Sequence, residues 1–309
     1  GIKLRIQLLH RISMRTLQRE KNYWARFYNQ FKSFLYRDKG YFDNYVCCVF
    51  KILKTFFNYL QVEKGFMVGN YHKSFRVPAQ NSNPIVLEPK QLQFLIYNED
   101  FLDKLTRPLK RARDIFVFGC TVALRVSDLM KLKKNNVIEK NGDFLISLYT
   151  QKTGTAVKIP LPDYAIEIIK KYEKRGSKFL LPRLSATNLN VQIKLLIKKA
   201  GWVAPLPKMM SKQGKFIEIK NSAGKDWCFY EHITTHTMRR TAITTLLMMG
   251  VPENVVRKIS GHAPGSKEFY KYVAIAEDYL NTEVKSAFKK LTETNFTVPQ
   301  KAILEQTVV

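Results

Sequence analysis

Arg125, Lys152, His236, Arg239 and His262, followed by Tyr270 and Tyr272, are the residues of this chain whose types can do chemistry together. Their guanidinium, ammonium and imidazole groups can surround one phosphate with positive charge and hydrogen-bond donors, and a tyrosine oxygen can then attack it. A guanidinium is a planar fork that binds two phosphate oxygens and keeps its charge, so Arg125 and Arg239 suit a transition state with extra negative charge on the equatorial oxygens. An ammonium on a flexible stem, as at Lys152, can protonate a leaving oxygen. A phenol, with a pKa of about 10, is a weak nucleophile at neutral pH, so neighbouring cations must favour its phenolate as attack proceeds. A covalent phosphotyrosine conserves the energy of the broken bond, and a hydroxyl can reseal it without ATP. The aspartates and glutamates are scattered and form no paired-carboxylate metal site. The expected chemistry is therefore phosphoryl transfer with no cofactor and no metal.

Each residue lies in a patterned segment: GCTVALRVSDLMKL around Arg125, TQKTGTAVKIPL around Lys152, HTMRRTA from His236, ISGHA around His262, and KEFYKYV with the two tyrosines. FLISLYT and TAVKIPL are β-type runs separated by QKTG, which predicts a hairpin with Gly154 in its turn and Lys152 beside it. Lys158 on the second strand is the substitute if the register differs. His236 stands three residues before Arg239, a spacing that puts both on one face of a helix. Residues 239–261 read as a helix, a Gly-Val-Pro turn and a second helix, the outline of a helix-turn-helix DNA reader. A non-catalytic DNA-binding regulator is therefore one alternative. On a helix Phe269, Tyr272, Val273, Ala276 and Leu280 share one face, which turns Tyr272 toward the core and leaves Tyr270 as the alternative nucleophile. A second hairpin is expected at 215–233, with its turn near Ser222 to Gly224.

Further upstream, Trp24, Phe27, Phe31, Phe34 and Leu35 recur at helical spacing, and Val46, Val49, Phe50, Leu53, Phe57 and Leu60 repeat the pattern. Residues 69–88 carry Gly, Pro, Asn and Ser without a sustained period and read as a linker. The chain has 309 residues, enough for two domains, and 52 Lys and Arg against 25 Asp and Glu give a formal charge of +27 spread along its length. Such a field favours a polyanion, nucleic acid before an anionic membrane. No apolar run approaches the length of a membrane span, and residues 1–20 lack a signal-type apolar core, so a soluble cytoplasmic, nucleoid-associated protein is expected. The four cysteines show no C-x-x-C spacing, and reduced thiols are expected.

Taken in order, these segments resemble the tyrosine recombinase, or phage-type integrase, superfamily. The L-R-x-S-D box, the H-x-x-R box and the S/T-G-H box are all in register, and the resemblance covers roughly residues 88–285. It implies a mainly α fold with small β-hairpins (α+β): a basic segment at 1–17, a helical core-binding domain at 18–75 that clamps DNA, a linker at 76–88, a catalytic domain at 89–291, and a tail at 292–309 that docks on a neighbouring protomer. The implied activity is that of a mobile-element integrase, cleaving and rejoining double-stranded DNA at specific sites through a 3′-phosphotyrosine, as a homotetramer on DNA with accessory DNA-bending or directionality proteins. Lys152 matches the family's hairpin lysine, and Asp128 its acidic residue that holds the arginine. The family tyrosine most often falls nine residues after the S/T-G-H histidine. Here the candidates fall at eight and ten, and an extra residue in the Pro264-Gly265 turn accommodates Tyr272. The same resemblance leaves a type IB topoisomerase as a second alternative, and leaves open whether an arm-binding domain precedes residue 1.

Overall fold

A computed structural model of the chain describes residues 14–66, 69–80, 84–173 and 176–293. Most of the basic N-terminal segment and all but the first two residues of the expected tail lie outside the described residues. In chain order the elements are α1 (Met14–Arg37), α2 (Asp43–Val62), α3 (Pro89–Tyr97), α4 (Glu99–Asp103), α5 (Arg107–Val122) and α6 (Val126–Leu129). The strands β1 (Val137–Lys140), β2 (Asp143–Tyr149) and β3 (Ala156–Pro160) come next, then α7 (Asp163–Glu173) and α8 (Ala186–Lys199). The strands β4 (Lys208–Lys212) and β5 (Lys215–Ile219) precede α9 (Phe229–His232), α10 (Thr235–Met248), α11 (Glu253–Ser260) and α12 (Lys267–Glu293). No helix among the described residues is long and apolar enough to cross a membrane.

The chain divides into two compact units, and the division is not linear. One comprises Gly1–Ser82 together with Ala204–Cys228, the other Asn83–Val203 together with Phe229–Val309. The stretch expected as one catalytic domain from 89 to 291 is thus interrupted by 25 residues that fold with the N-terminal helices.

In the first unit the apolar faces of α1 and α2 meet as their spacing predicts, burying Trp24, Phe27, Val46, Phe50 and Phe57, with Trp24 edge-on to Phe57 at 5.2 Å between ring centroids. The β4–β5 hairpin joins them through a buried carboxylate. Asp43, at the start of α2, accepts from the Tyr36 hydroxyl at 2.5 Å, the Gln213 amide at 2.8 Å, the Gly214 amide at 2.9 Å and the Ser211 hydroxyl. Burial alone would raise its pKa, but these donors outweigh burial and the net shift is downward. This pairing differs from the hairpin expected at 215–233, because β5 pairs backward with β4 in the register Ser211↔Phe216 and Lys212↔Lys215. Gln213 and Gly214 form the turn, both left-handed with φ of 54° and 81°. Two successive left-handed residues make the turn whose twist matches that of paired strands. Residues 229–232, expected as strand, are the helix α9.

The second unit is built around α5, whose residues from Ile115 to Phe118 are fully buried. The helix α10 packs across it, and the antiparallel sheet β1–β2–β3 meets α11 through β3. The helices α5 and α10 approach one another at one glycine. A Cβ on Gly119 would lie 2.5 Å from Met238 Sδ and 3.0 Å from Met238 Cβ, so the absence of a side chain there sets how closely α5 meets α10. Phe269 and Ala276 of α12 are buried, Tyr272 and Val273 half-buried, while Leu280 is exposed, so the shared face of α12 ends earlier than the pattern suggests.

Candidate active site

Arg239 sits one turn into α10, and its side chain is buried, 9% exposed. Its Nη1 donates to the carbonyl of Ala123 at 2.8 Å. Ala123 ends α5 in a left-handed conformation, φ 53°, and so turns the chain such that Arg125 opens α6. The close α5–α10 approach at Gly119 therefore brings the two arginines together. Burial, then the charge of Arg125, push the Arg239 pKa down to about 10, against opposing contributions from Tyr272 and Asp128. Arg239 keeps its proton at neutral pH. Arg125 Nη1 is buried and has no hydrogen-bond partner, an arrangement that costs stability unless a further acceptor arrives.

His262 follows Gly261, which ends α11 with φ 64°. The hydroxyl of Ser260 donates to the Val256 carbonyl at 2.7 Å, which leaves its lone pairs for the Nδ1–H of His262 at 2.8 Å. The neutral ring then carries its free lone pair on Nε2, which accepts from Arg239 Nη2 at 3.3 Å. Burial first, then the charges of Arg239, Arg125 and Arg257, push the His262 pKa down to about 4. The ring is neutral at physiological pH.

The turn carrying Lys152 is held by hydroxyls. Thr150 Oγ1 pairs with Thr153 Oγ1 at 2.8 Å and accepts from the Thr155 amide at 3.2 Å, and Gly154 supplies the left-handed residue at φ 62°. Two neighbours fix this turn relative to the other site residues. Gly261 faces Thr150, Val157 and Thr155, since a Cβ there would lie 3.6–4.0 Å from their side chains. Asp128 Oδ1 accepts from the Gln151 amide at 3.1 Å, and its buried Oδ2 has no partner. Asp128, expected to hold Arg125, makes no ion pair with it among the described residues; it holds the Lys152 turn instead. Lys152 itself is exposed, as is Lys158.

The two tyrosines have different surroundings. Tyr272 is half-buried with its ring centroid 6.0 Å from that of His262. Tyr270 is 53% exposed and lies under the guanidinium of Arg257, 4.9 Å from its ring centroid. His236, on the first turn of α10, is exposed and makes no side-chain hydrogen bond among the described residues. Arg125, Arg239, His262 and Tyr272 thus form the half-buried centre, with Lys152 and His236 at accessible positions. Ala123, Ser260 and Arg257 were not singled out from the sequence. Ser260 is within the S/T-G-H box and so was visible there, whereas nothing in the spacing marks Ala123 or Arg257.

Residues 87–278 match the model of the phage integrase family. Transposase B from transposon Tn554 of Staphylococcus aureus is 24% identical over 307 residues, covering 82% of this chain and 46% of that protein. Tyrosine recombinase XerD of Vibrio vulnificus is 24% identical over 255 residues, covering 79% and 74%. The chain spans about half the length of the Tn554 transposase it matches. Among solved structures, a lambda integrase dimer bound to a COC′ core site has a TM-score of 0.54 at 15% identity, covering 85% of this chain and 90% of that one. The Tn1549 transposon integrase in complex with transposon right end DNA has 0.53 at 17%, covering 90% and 88%. At these identities the likeness to solved structures is one of fold.

Proposed function

Because this chain belongs to the phage integrase family, we propose that it is a site-specific recombinase that cleaves and rejoins double-stranded DNA through a covalent 3′-phosphotyrosine. The observation that carries the reading is the half-buried centre in which Arg239 and His262 adjoin Tyr272 while a buried donor of Arg125 is unsatisfied. A scissile phosphate is the acceptor such a centre lacks. Arg125 and Arg239 hold its non-bridging oxygens. The Tyr272 oxygen attacks phosphorus, forming the P–Oη bond as the P–O5′ bond breaks. The exposed His236 imidazole takes the phenolic proton, and Lys152 gives a proton to the departing 5′ oxygen. Rejoining is the reverse, with a 5′-hydroxyl as nucleophile. Its partners are DNA and further copies of the chain assembled as a tetramer on it, in the setting of a mobile element.

The domain reading follows the same lines. The N-terminal helices, with the β4–β5 hairpin, form a core-binding unit, and the second unit is catalytic. The test is a nicked duplex that traps the covalent complex, run in excess EDTA. The expected result is a protein–DNA adduct that maps to Tyr272. Absence of any adduct on cognate DNA would remove the reading, and an adduct that requires added Mg²⁺ would remove the mechanism.

A further inference from the structure

Arg257, on α11, touches both the histidine and the tyrosine segments. Its backbone carbonyl accepts from the His262 amide at 3.1 Å. Its guanidinium lies over the face of Phe269, 3.9 Å from the ring centroid, and over Tyr270, 4.9 Å from that ring. Nη2 reaches Glu253 Oε2 at 3.3 Å, Nη1 is buried with no partner, and the side chain is only 14% exposed. Phe269 is fully buried and edge-on to both His262, at 5.5 Å, and Tyr272, at 6.4 Å.

These contacts constrain the rotation of α12 about its axis. Successive residues of a helix are about 100° apart, so Phe269 and Tyr272 share a side while Tyr270 is about 200° from Tyr272. A guanidinium stacked at once on Phe269 and Tyr270 is satisfied at one rotation only. At that rotation Tyr272 faces His262. The planar group is suited to this, because it stacks on two ring faces where an ammonium would favour one.

We propose that Arg257 is a positioning residue that selects Tyr272 over Tyr270 as the nucleophile, by fixing the rotation of α12 through its simultaneous stacking on Phe269 and Tyr270. The inference rests on the function proposed above. The experiment compares wild type, Arg257→Met and Arg257→Lys on a nicked duplex, with adduct rate, adduct peptide, DNA affinity and melting temperature measured for each. Arg257→Met is expected to form adduct about tenfold more slowly, in line with the loss of two cation–π contacts, the one on Phe269 fully buried, with DNA affinity kept and part of the label on Tyr270. Arg257→Lys, which keeps the charge and loses the planar stack, is expected to lie between the two.

A wild-type rate in Arg257→Met would overturn the proposal, and so would a slower rate with all label on Tyr272 that follows a lowered melting temperature. Should Arg257→Met not fold, Tyr270→Leu at its exposed position removes half the stack. It is expected to slow adduct formation about threefold, while Tyr270→Phe keeps the ring and the rate; equal rates for Leu and Phe would overturn the proposal. Absence of adduct from the wild type sinks the recombinase reading itself, whereas a wild-type adduct on Tyr272 that is indifferent to Arg257 sinks only this inference.

Discussion

Buried charge is handled in two opposite ways in this molecule. Asp43 in the N-terminal unit receives four donors, and Asp114 on α5 receives three, from Arg113 at 2.8 Å and from Lys171 and the Tyr172 hydroxyl at 2.6 Å each. Around Arg239 the arrangement is reversed: Arg125 Nη1, Asp128 Oδ2 and Arg257 Nη1 are buried and unpartnered. A buried polar atom without a partner costs about 1–3 kcal/mol; under the proposed function a scissile phosphate relieves that cost at Arg125, whereas Arg111 Nε, near the start of α5, is equally unpartnered and has no such role. The difference separates two kinds of buried ionic group that look alike in burial alone.

The sharpest way to break the comparison is Tyr272→Phe, which removes one oxygen and leaves the ring. It should abolish the covalent adduct on a nicked duplex while DNA affinity and melting temperature stay at wild-type values. Next is Arg125→Met, which should slow adduct formation about 10²- to 10³-fold, the usual effect of deleting one donor from a transition-state site. Because it also removes an unsatisfied buried donor, thermal unfolding should show no loss of stability. Asp43→Ala should behave in the opposite sense. It leaves the Tyr36 and Ser211 hydroxyls and two amides without their acceptor, and should destabilise the N-terminal unit by about 1–3 kcal/mol, read as earlier urea unfolding and faster proteolysis of 204–228. Equal stability losses for Arg125→Met and Asp43→Ala would end the distinction.

Acid should reveal the same contrast. The Asp43 pKa is lowered on folding, so its contribution is present above the unfolded value near 3.8 and is lost as pH falls through the lower folded value. The His262 pKa is also lowered, from 6.5 to about 4, so between those values the unfolded chain takes up the proton first and stability declines as pH falls through that window. A denaturation series from pH 7 to pH 3 in wild type and His262→Gln should place the two losses in separate ranges, with the upper one reduced in the variant and the remainder due to buried His72, whose pKa burial also lowers from 6.5. The smallest expected effect is that of Tyr270→Phe, which retains the ring beneath Arg257 and should change the adduct rate by less than about twofold.

Much of this was legible in the residues. The helices α1 and α2 follow from apolar spacing, the β2–β3 hairpin from QKTG between two β-type runs, and the His236–Arg239 segment from its boxed pattern. The α12 pattern and the packing both follow the helical period, so Tyr272 is half-buried and Tyr270 exposed. What could not be read depends on contacts between residues far apart in sequence. The family resemblance implies that Asp128 holds Arg125, yet its oxygen is used by the backbone amide of Gln151, and an amide carries no sequence signature. The β4–β5 pairing was missed because KMMSK has little strand character of its own and its turn is closed on Asp43. Arg257 is one arginine among many in a basic chain, and only the two rings beneath it single it out.

The link from Asp43 to the 211–214 turn spans 168 residues or more, and this bears on the order in which the protein acquires its structure. As the chain leaves the ribosome, α1 and α2 are available long before the hairpin that completes their unit, so Asp43 must wait, hydrated, while most of the second unit is made. Contacts of such long range are slow to form because the loop must close before they contribute. The N-terminal helices should therefore consolidate late, and a fragment ending at residue 82 should recover its native resistance to protease only when a peptide covering 204–228 is supplied beside it.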